Sequence, residues 1–95
     1  MNEQLIIEPA EAVEIRLERL YSVLLWNDMH LFSEALHAVQ TVFPHLEFID
    51  VLTIVLVAHR HGVAVCQKGL SFEVAEYRRD GLRSFGFMAT LVPSE

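Results

Sequence analysis

Apolar residues recur along this chain with two periods, and together these periods predict six elements. Runs of branched and aromatic residues predict three strands, which are Tyr21–Trp26, Val63–Gln67 and Phe87–Val92. Apolar positions three and four residues apart predict three helices, which are Leu31–Phe43, about Glu47–His61 and about Phe72–Ser84. The order strand, helix, helix, strand, helix, strand predicts an α+β fold, a three-stranded antiparallel sheet with its helices packed on one face.

The second predicted helix is apolar on almost its whole circumference. Its apolar positions are Phe48, Ile49, Val51, Leu52, Ile54, Val55, Leu56, Val57 and Ala58. A helix of this kind is expected to be buried on more than one side. Pro44 ends the preceding helix, and Gly62 supplies the left-handed residue that stops this one.

Residues 1–19 differ in composition from the core domain predicted at 20–95. They hold five glutamates, and Pro9 stands where a helix could begin. Val13, Leu17 and Leu20 follow at helical spacing, which predicts a short acidic helix after a loose leader. The alternative for this segment is a frayed terminus with no role.

Charge and cysteine content exclude several classes of function. The 95 residues carry 13 acids against 7 bases, a net charge of −6, so nucleic acid is not an expected partner. Cys66 is the single cysteine, which excludes an internal disulfide and a cysteine-rich zinc site. The apolar run Val51–Ala58 is far shorter than a membrane span, and the N-terminus does not resemble a signal peptide. We therefore expect a protein of the reducing cytoplasm, without a membrane partner.

No catalytic or metal-binding pattern stands out. A phosphate loop and a Gly-x-Ser-x-Gly nucleophile elbow are both missing from the sequence. His59 and His61 are two residues apart and fall on different sides of a helix, whereas a helical metal pair needs a spacing of three or four. His59 and Asp28 could be drawn as a base and its orienting acid, but nothing supplies a nucleophile. The sequence predicts a protein that is not an enzyme and that uses no metal or cofactor.

One ordered set of motifs does form a coherent pattern. The first strand runs directly into an Asn-Asp pair, as Tyr21-Ser-Val-Leu-Leu-Trp-Asn27-Asp28. The second helix ends as Ala58-His59-Arg60-His61-Gly62, the third begins with Glu73-Val74-Ala75-Glu76, and the last strand holds Ala89-Thr90-Leu91. In this order and spacing the motifs resemble the ClpS adaptors of the Clp protease over about residues 20–92. The short third helix and the end at Pro93 are more similar to the plant and cyanobacterial branch of that family.

The resemblance implies an adaptor that binds the N-terminal residue of a substrate and delivers it to a Clp AAA+ chaperone. It assigns the free α-amino group to Asn27, Asp28 and His59 as acceptors. It implies a pocket for a bulky apolar first side chain, and its lining residues would be Met29, Phe32, Val55, Ala58 and Phe87. It places Glu73 and Arg78 on the surface that meets the chaperone's N-terminal domain. Without the family, Asn27-Asp28 is a turn, the apolar residues are core, and the charges are a solvated helix face.

The sequence departs from the family pattern just after Asp28. ClpS proteins place a second acid there, whereas this chain has Met29, followed by a segment one residue shorter than usual, His30-Leu31-Phe32. Loss of one charged contact would weaken amine binding by about 1.5–3 kcal/mol. The alternative function is therefore a diverged interaction module that keeps the fold but has lost or altered N-terminal recognition. The resemblance places either protein in the cytoplasm, or in the plastid stroma of a plant.

Overall fold

The computed structural model describes residues 19–28 and 30–94 of the chain. They form three strands and three helices in the order β-α-α-β-α-β, as the hydrophobic pattern predicted. The elements are β1 Tyr21–Trp26, α1 Phe32–Val42, α2 Phe48–His61, β2 Val63–Leu70, α3 Phe72–Ser84 and β3 Ala89–Pro93. The acidic helix predicted within residues 1–19 lies outside the described residues, except for Arg19.

The sheet is antiparallel and has β1 at its centre, in the order β2-β1-β3. Leu25 on β1 pairs with Ala64 of β2 on one side and with Ala89 of β3 on the other. Tyr21, Val23 and Leu25 share the face of β1 that packs on the helices, and Val23 and Leu25 are buried there. The predicted fold class is therefore confirmed for the part of the chain that the structure describes.

Some element bounds differ from the predicted ones for identifiable reasons. β2 continues to Leu70 instead of ending at Gln67, because Gly69 adopts a φ of 70° and the pairing with β1 shifts register there without ending. β3 begins at Ala89, so Phe87 precedes the strand instead of opening it. Gly86 has a φ of 91° and completes the turn after α3, which delays entry into the sheet.

One core fills the space between the sheet and the helices. Its buried residues come from all six elements and from two loops: Val23, Leu25, Ala35, Ala38, Val39, Val42, Phe43, Val51, Ile54, Val55, Ala58, Ala64, Cys66, Ala75, Leu82, Phe87 and Ala89. α1 and α3 approach closely, because a Cβ at Gly81 would stand 3.1 Å from Val42 Cγ2. Ser71 caps α3 through its Oγ, which accepts a hydrogen bond from Val74 N at 3.3 Å.

The burial predicted for α2 is wrong for the part of the chain that the structure describes. Only one side of this helix is buried, through Val51, Ile54, Val55 and Ala58. The opposite side leaves Ile49 60% exposed and Leu56 40% exposed. No described helix is long and apolar enough to cross a membrane.

Candidate functional site

A cleft lies at the end of β1, where β1 passes over the C-terminal half of α2. Its walls come from three segments of the chain, 25–35, 55–59 and Phe87, and the lining residues are Leu25, Trp26, Asn27, Asp28, His30, Leu31, Phe32, Ala35, Val55, Ala58, His59 and Phe87. The structure thus brings together seven of the eight residues assigned to amine binding or to the pocket. The eighth, Met29, lies outside the described residues.

Backbone hydrogen bonds explain why Asn27 and His59 border the same cleft. Gly62 adopts a φ of 90° at the end of α2, and its N–H donates to Ala58 O at 2.9 Å. The carbonyl oxygen of Gly62 accepts a hydrogen bond from Asn27 N, also at 2.9 Å. This bond fixes the end of β1 beside the last turn of α2, which carries His59. The His-x-x-Gly spacing therefore has a local purpose, since glycine is favoured at this left-handed position.

The Asp28 carboxylate is held by His30. Asp28 Oδ1 accepts a hydrogen bond from His30 N at 3.1 Å and lies 2.6 Å from His30 Nδ1. Partial burial raises the pKa of the Asp28 carboxyl, but the His30 side-chain and backbone hydrogen bonds outweigh it, so the pKa lies below its ordinary value. Asp28 therefore stays ionised at the mouth of the cleft at neutral pH.

The His30 ring itself is fixed on two sides. It stacks on Phe87, with the two ring centroids 4.1 Å apart and the planes tilted by 30°. A Cβ at Gly86 would stand 3.1 Å from His30 Nε2, so glycine provides the space as well as the turn. The sequence analysis named His30 only as part of the shortened segment after Met29 and assigned it no role. One signal in the sequence did point to His30. An aspartate often accepts a hydrogen bond from the backbone N–H two residues later, in an Asx turn, and Asp28 does so with His30 N.

The apolar walls of the cleft range from buried to exposed. Val55, Ala58 and Phe87 are buried, so their side chains form a fixed floor. Phe32 is 40% exposed at the start of α1, and Leu31 beside it is exposed as well. The cavity between these walls measures about 80 Å³. Since a buried cavity that binds benzene measures about 150 Å³, an aromatic side chain would require Phe32 or Leu31 to move.

The two residues assigned to chaperone docking lie in different environments on α3. Glu73 is exposed in the first turn of the helix. Arg78 turns inward, where Nη1 donates to Val42 O and the guanidinium lies 5.6 Å from the centroid of the Phe43 ring. Its Nε is buried and has no hydrogen-bond partner. Arg78 therefore joins α3 to the end of α1, and its docking role stays a prediction.

Among residues 19–28 and 30–94, no group of three or more His, Cys, Asp or Glu side chains is arranged to hold a metal ion. The single thiol, Cys66, is buried in the core, and burial raises its pKa to about 12. It is therefore protonated at neutral pH and is neither a ligand nor a nucleophile in this fold.

Comparison with known proteins places this geometry in a family. No curated protein matches the chain. A solved structure, that of Agrobacterium tumefaciens ClpS2 bound to L-phenylalaninamide, superposes with a TM-score of 0.73 over 80% of this chain and 98% of that chain, at 24% sequence identity. That likeness shows a shared fold. The family described as "ATP-dependent Clp protease adaptor protein ClpS" matches residues 16–90, well over half of the sequence, so the chain belongs to the ClpS family.

Proposed function

We propose that this adaptor captures proteins by a free N-terminal residue with an apolar side chain and delivers them to a Clp AAA+ unfoldase. The observation that supports this most strongly is the cleft in which Asn27, Asp28 and His59 border an apolar floor. Polar acceptors beside an apolar cavity suit a ligand with a cationic head and an apolar side chain. L-phenylalaninamide, the molecule bound to the Agrobacterium protein, has this chemistry.

Three groups would share the α-ammonium group. Asn27 offers an amide oxygen, Asp28 offers a carboxylate, and a neutral His59 offers a ring nitrogen. Each charge-assisted hydrogen bond contributes about 1.5–3 kcal/mol. An internal peptide N–H has no positive charge and fewer donors, so this arrangement discriminates the end of a chain from its interior. Delivery would take place where the unfoldase resides, in the cytoplasm or the plastid stroma.

Titration calorimetry with short peptides tests this function. The peptides would begin with Leu, Phe, Tyr or Trp, and each would have an N-acetylated counterpart. We expect at least one free-amine peptide to bind, its acetylated counterpart to fail, and His59→Ala to weaken binding roughly 10- to 100-fold. If no free-amine peptide binds at millimolar concentration, N-terminal recognition is wrong.

A second candidate function is an interaction module with altered recognition, and the His30 contact favours it. Asp28 already accepts two hydrogen bonds from His30, so the incoming amine competes with an internal partner. Met29→Asp would restore the acid that the family carries after Asp28. If Met29→Asp binds N-terminal peptides and the natural protein does not, the second function holds. Binding by the natural protein excludes it.

A pull-down with the N-terminal domain of a Clp unfoldase tests delivery separately from recognition. We expect the natural protein and His59→Ala to be retained equally, because the cleft and the exposed side of α3 are distinct surfaces. Loss of retention in both proteins would contradict the adaptor function, whatever the peptides do.

A further inference from the structure

The negative charge of the cleft depends on one contact, between His30 and Asp28. Asp28 is the only acid among the described residues that line the cleft, and the sequence places Met29 after it. His30 Nδ1 lies 2.6 Å from Asp28 Oδ1, and His30 N donates to the same oxygen at 3.1 Å. A positive charge on the His30 ring would therefore cancel the one carboxylate that this cleft offers to an α-ammonium group.

The chemistry of the contact defines where His30 carries its protons. An ionised carboxylate only accepts hydrogen bonds, so the proton between the two side chains belongs to His30 Nδ1. The second ring nitrogen, Nε2, then decides the charge, because the ring is neutral with a lone pair there and cationic with a second proton. Histidine gains this proton between about pH 8 and about pH 5. Asp28 stays ionised throughout that range, since its pKa lies below the ordinary value of 3.8.

The His30 ring is confined, so any charge that it gains stays beside Asp28. The ring stacks on Phe87, with the two centroids 4.1 Å apart. Nε2 lies next to Gly86, where a Cβ would stand only 3.1 Å away. The backbone bond from His30 N to Asp28 Oδ1 also holds the two residues in one turn, whatever the charge of the ring. Protonation of His30 therefore changes the charge at the carboxylate without a need for movement.

Three other titratable groups border the two cavities that His30 lines. Glu34 and His37 stand on α1, His59 stands on α2, and the segment 85–87 contributes none. Glu34 borders the outer groove and not the cleft, so it does not replace the carboxylate. His59 accepts a hydrogen bond from an amine only while its ring is neutral, so its protonation acts in the same direction as that of His30.

We propose that His30 is a positioning residue that sets the pH range of ligand binding: the neutral ring orients Asp28 for the α-ammonium group, and the protonated ring is an internal cation that competes with it. This inference rests on the proposed recognition of a free N-terminus. A proton on the ring and the ammonium group of the ligand compete for the same carboxylate. By linkage, the affinity for the ligand must then fall as the pH falls.

Calorimetry across a range of pH tests this with a variant that keeps the hydrogen bond and loses the titration. In His30→Asn the side-chain amide can still donate to Asp28, but it has no charge at any pH. The probe is the tightest-binding free-amine peptide among those that begin with Leu, Phe, Tyr or Trp. Between about pH 7.5 and about pH 5.5 the natural protein should lose roughly tenfold more affinity than His30→Asn, because one more linked proton is involved.

The comparison isolates His30 from the other groups that titrate in this range. The α-amino group of the peptide titrates alike with every protein, so its effect cancels. His59 is present in both proteins, so the pH dependence that remains in His30→Asn belongs to His59. His37→Asn is the matched control, because His37 lines the groove beside His30, whereas the side-chain hydrogen bond to Asp28 comes from His30. This control should keep the pH profile of the natural protein.

Proton release on binding gives the deciding result. Calorimetry at about pH 6, in buffers of different ionisation enthalpy, counts the protons that the complex expels. The natural protein should release more protons than His30→Asn, with a difference of up to about one. Equal proton release and equal pH profiles in the two proteins would overturn this inference and leave N-terminal recognition standing. Absence of binding at every pH would instead contradict N-terminal recognition itself, and this inference with it.

Discussion

The cleft at the end of β1 and the surface of α3 were both indicated by residues matched to one family, and the fold treats them differently. In the cleft, residues from three segments of the chain meet, and a backbone hydrogen bond from Asn27 N to Gly62 O holds two of the motifs together. On α3, Glu73 faces solvent while Arg78 turns inward to Val42 and Phe43. Motifs that converge from separate segments therefore carry more information than two charges on one helix. The five-residue spacing of Glu73 and Arg78 already places them on different sides of α3, so only one of them can face solvent fully.

The largest expected effect is a loss of stability, and it would separate the structural role of Arg78 from its predicted role in chaperone docking. Arg78→Ala leaves Val42 O without its donor and removes the cation from the Phe43 ring, so the free energy of unfolding should fall by about 2–4 kcal/mol. Arg79→Ala is the control, because Arg79 makes only surface ion pairs with Glu76 and Asp80, at 3.4 and 3.0 Å. Urea denaturation measures both. Equal stability of the two variants would show that Arg78 has no structural role.

A substitution in the cleft should lower peptide affinity and leave the stability of the fold nearly unchanged. Asp28→Asn removes the negative charge that attracts the α-ammonium group, and peptide affinity should fall roughly 10- to 100-fold. Calorimetry measures the affinity, and thermal unfolding should shift little because Asp28 is partly exposed at the mouth of the cleft. Unchanged affinity in Asp28→Asn would mean that His30 keeps this carboxylate from the ligand.

The size of the pocket offers a third test. Phe32 is partly exposed at the entrance to a cavity of about 80 Å³, and Phe32→Ala would enlarge the space for large side chains. The affinity ratio of peptides beginning with Trp to peptides beginning with Leu should rise about tenfold, equivalent to about 1.4 kcal/mol. Leu20→Ala is a control, because Leu20 is exposed at the opposite end of β1. An unchanged ratio would show that Phe32 already moves aside without cost.

A smaller effect is expected on the exposed side of α3. Glu73→Gln removes one solvated charge from the predicted chaperone surface, and such contacts contribute about 0.2–1 kcal/mol. Affinity for a Clp unfoldase's N-terminal domain should fall up to about fivefold, while peptide affinity stays constant. Glu76→Gln, one turn further along the helix, provides the comparison. A loss in Glu76→Gln that equals the loss in Glu73→Gln would point to general charge attraction instead of a specific contact.

The order of helices and strands could be predicted because the hydrophobic periodicity of each segment matches the element that it forms. The bounds of β1 and α3 agree with those predicted from the run of branched and aromatic residues and from the apolar spacing. The end of β2 depended instead on a register shift near Gly69, which no local pattern indicates. The side of α2 that carries Ile49 and Leu56 was wrongly predicted to be buried, because hydrophobicity does not show which sides of a helix the rest of the fold covers. His30 was missed because its stack on Phe87 joins residues far apart in sequence.

The smallest effect concerns that His30 contact. Partial burial alone would raise the pKa of Asp28, but hydrogen bonds from the His30 ring and the His30 backbone hold it low. His30→Ala removes the ring bond and keeps the backbone N–H, so the Asp28 pKa should rise. Because the pKa is lowered in the folded state, the contribution of Asp28 to stability is fully present above the ordinary pKa of 3.8 and is lost as the pH falls through the lower folded-state pKa. Carboxyl chemical shifts followed by NMR from about pH 7 to about pH 2 measure the pKa directly. His37→Ala is the matched control. Like His30, which stacks on Phe87, His37 packs against a phenylalanine ring, with its centroid 5.6 Å from that of Phe85, but His37 does not contact Asp28. If His30→Ala leaves the pKa unchanged, Asp28 is free of His30 in solution, and the cleft already presents its full negative charge to an incoming amine.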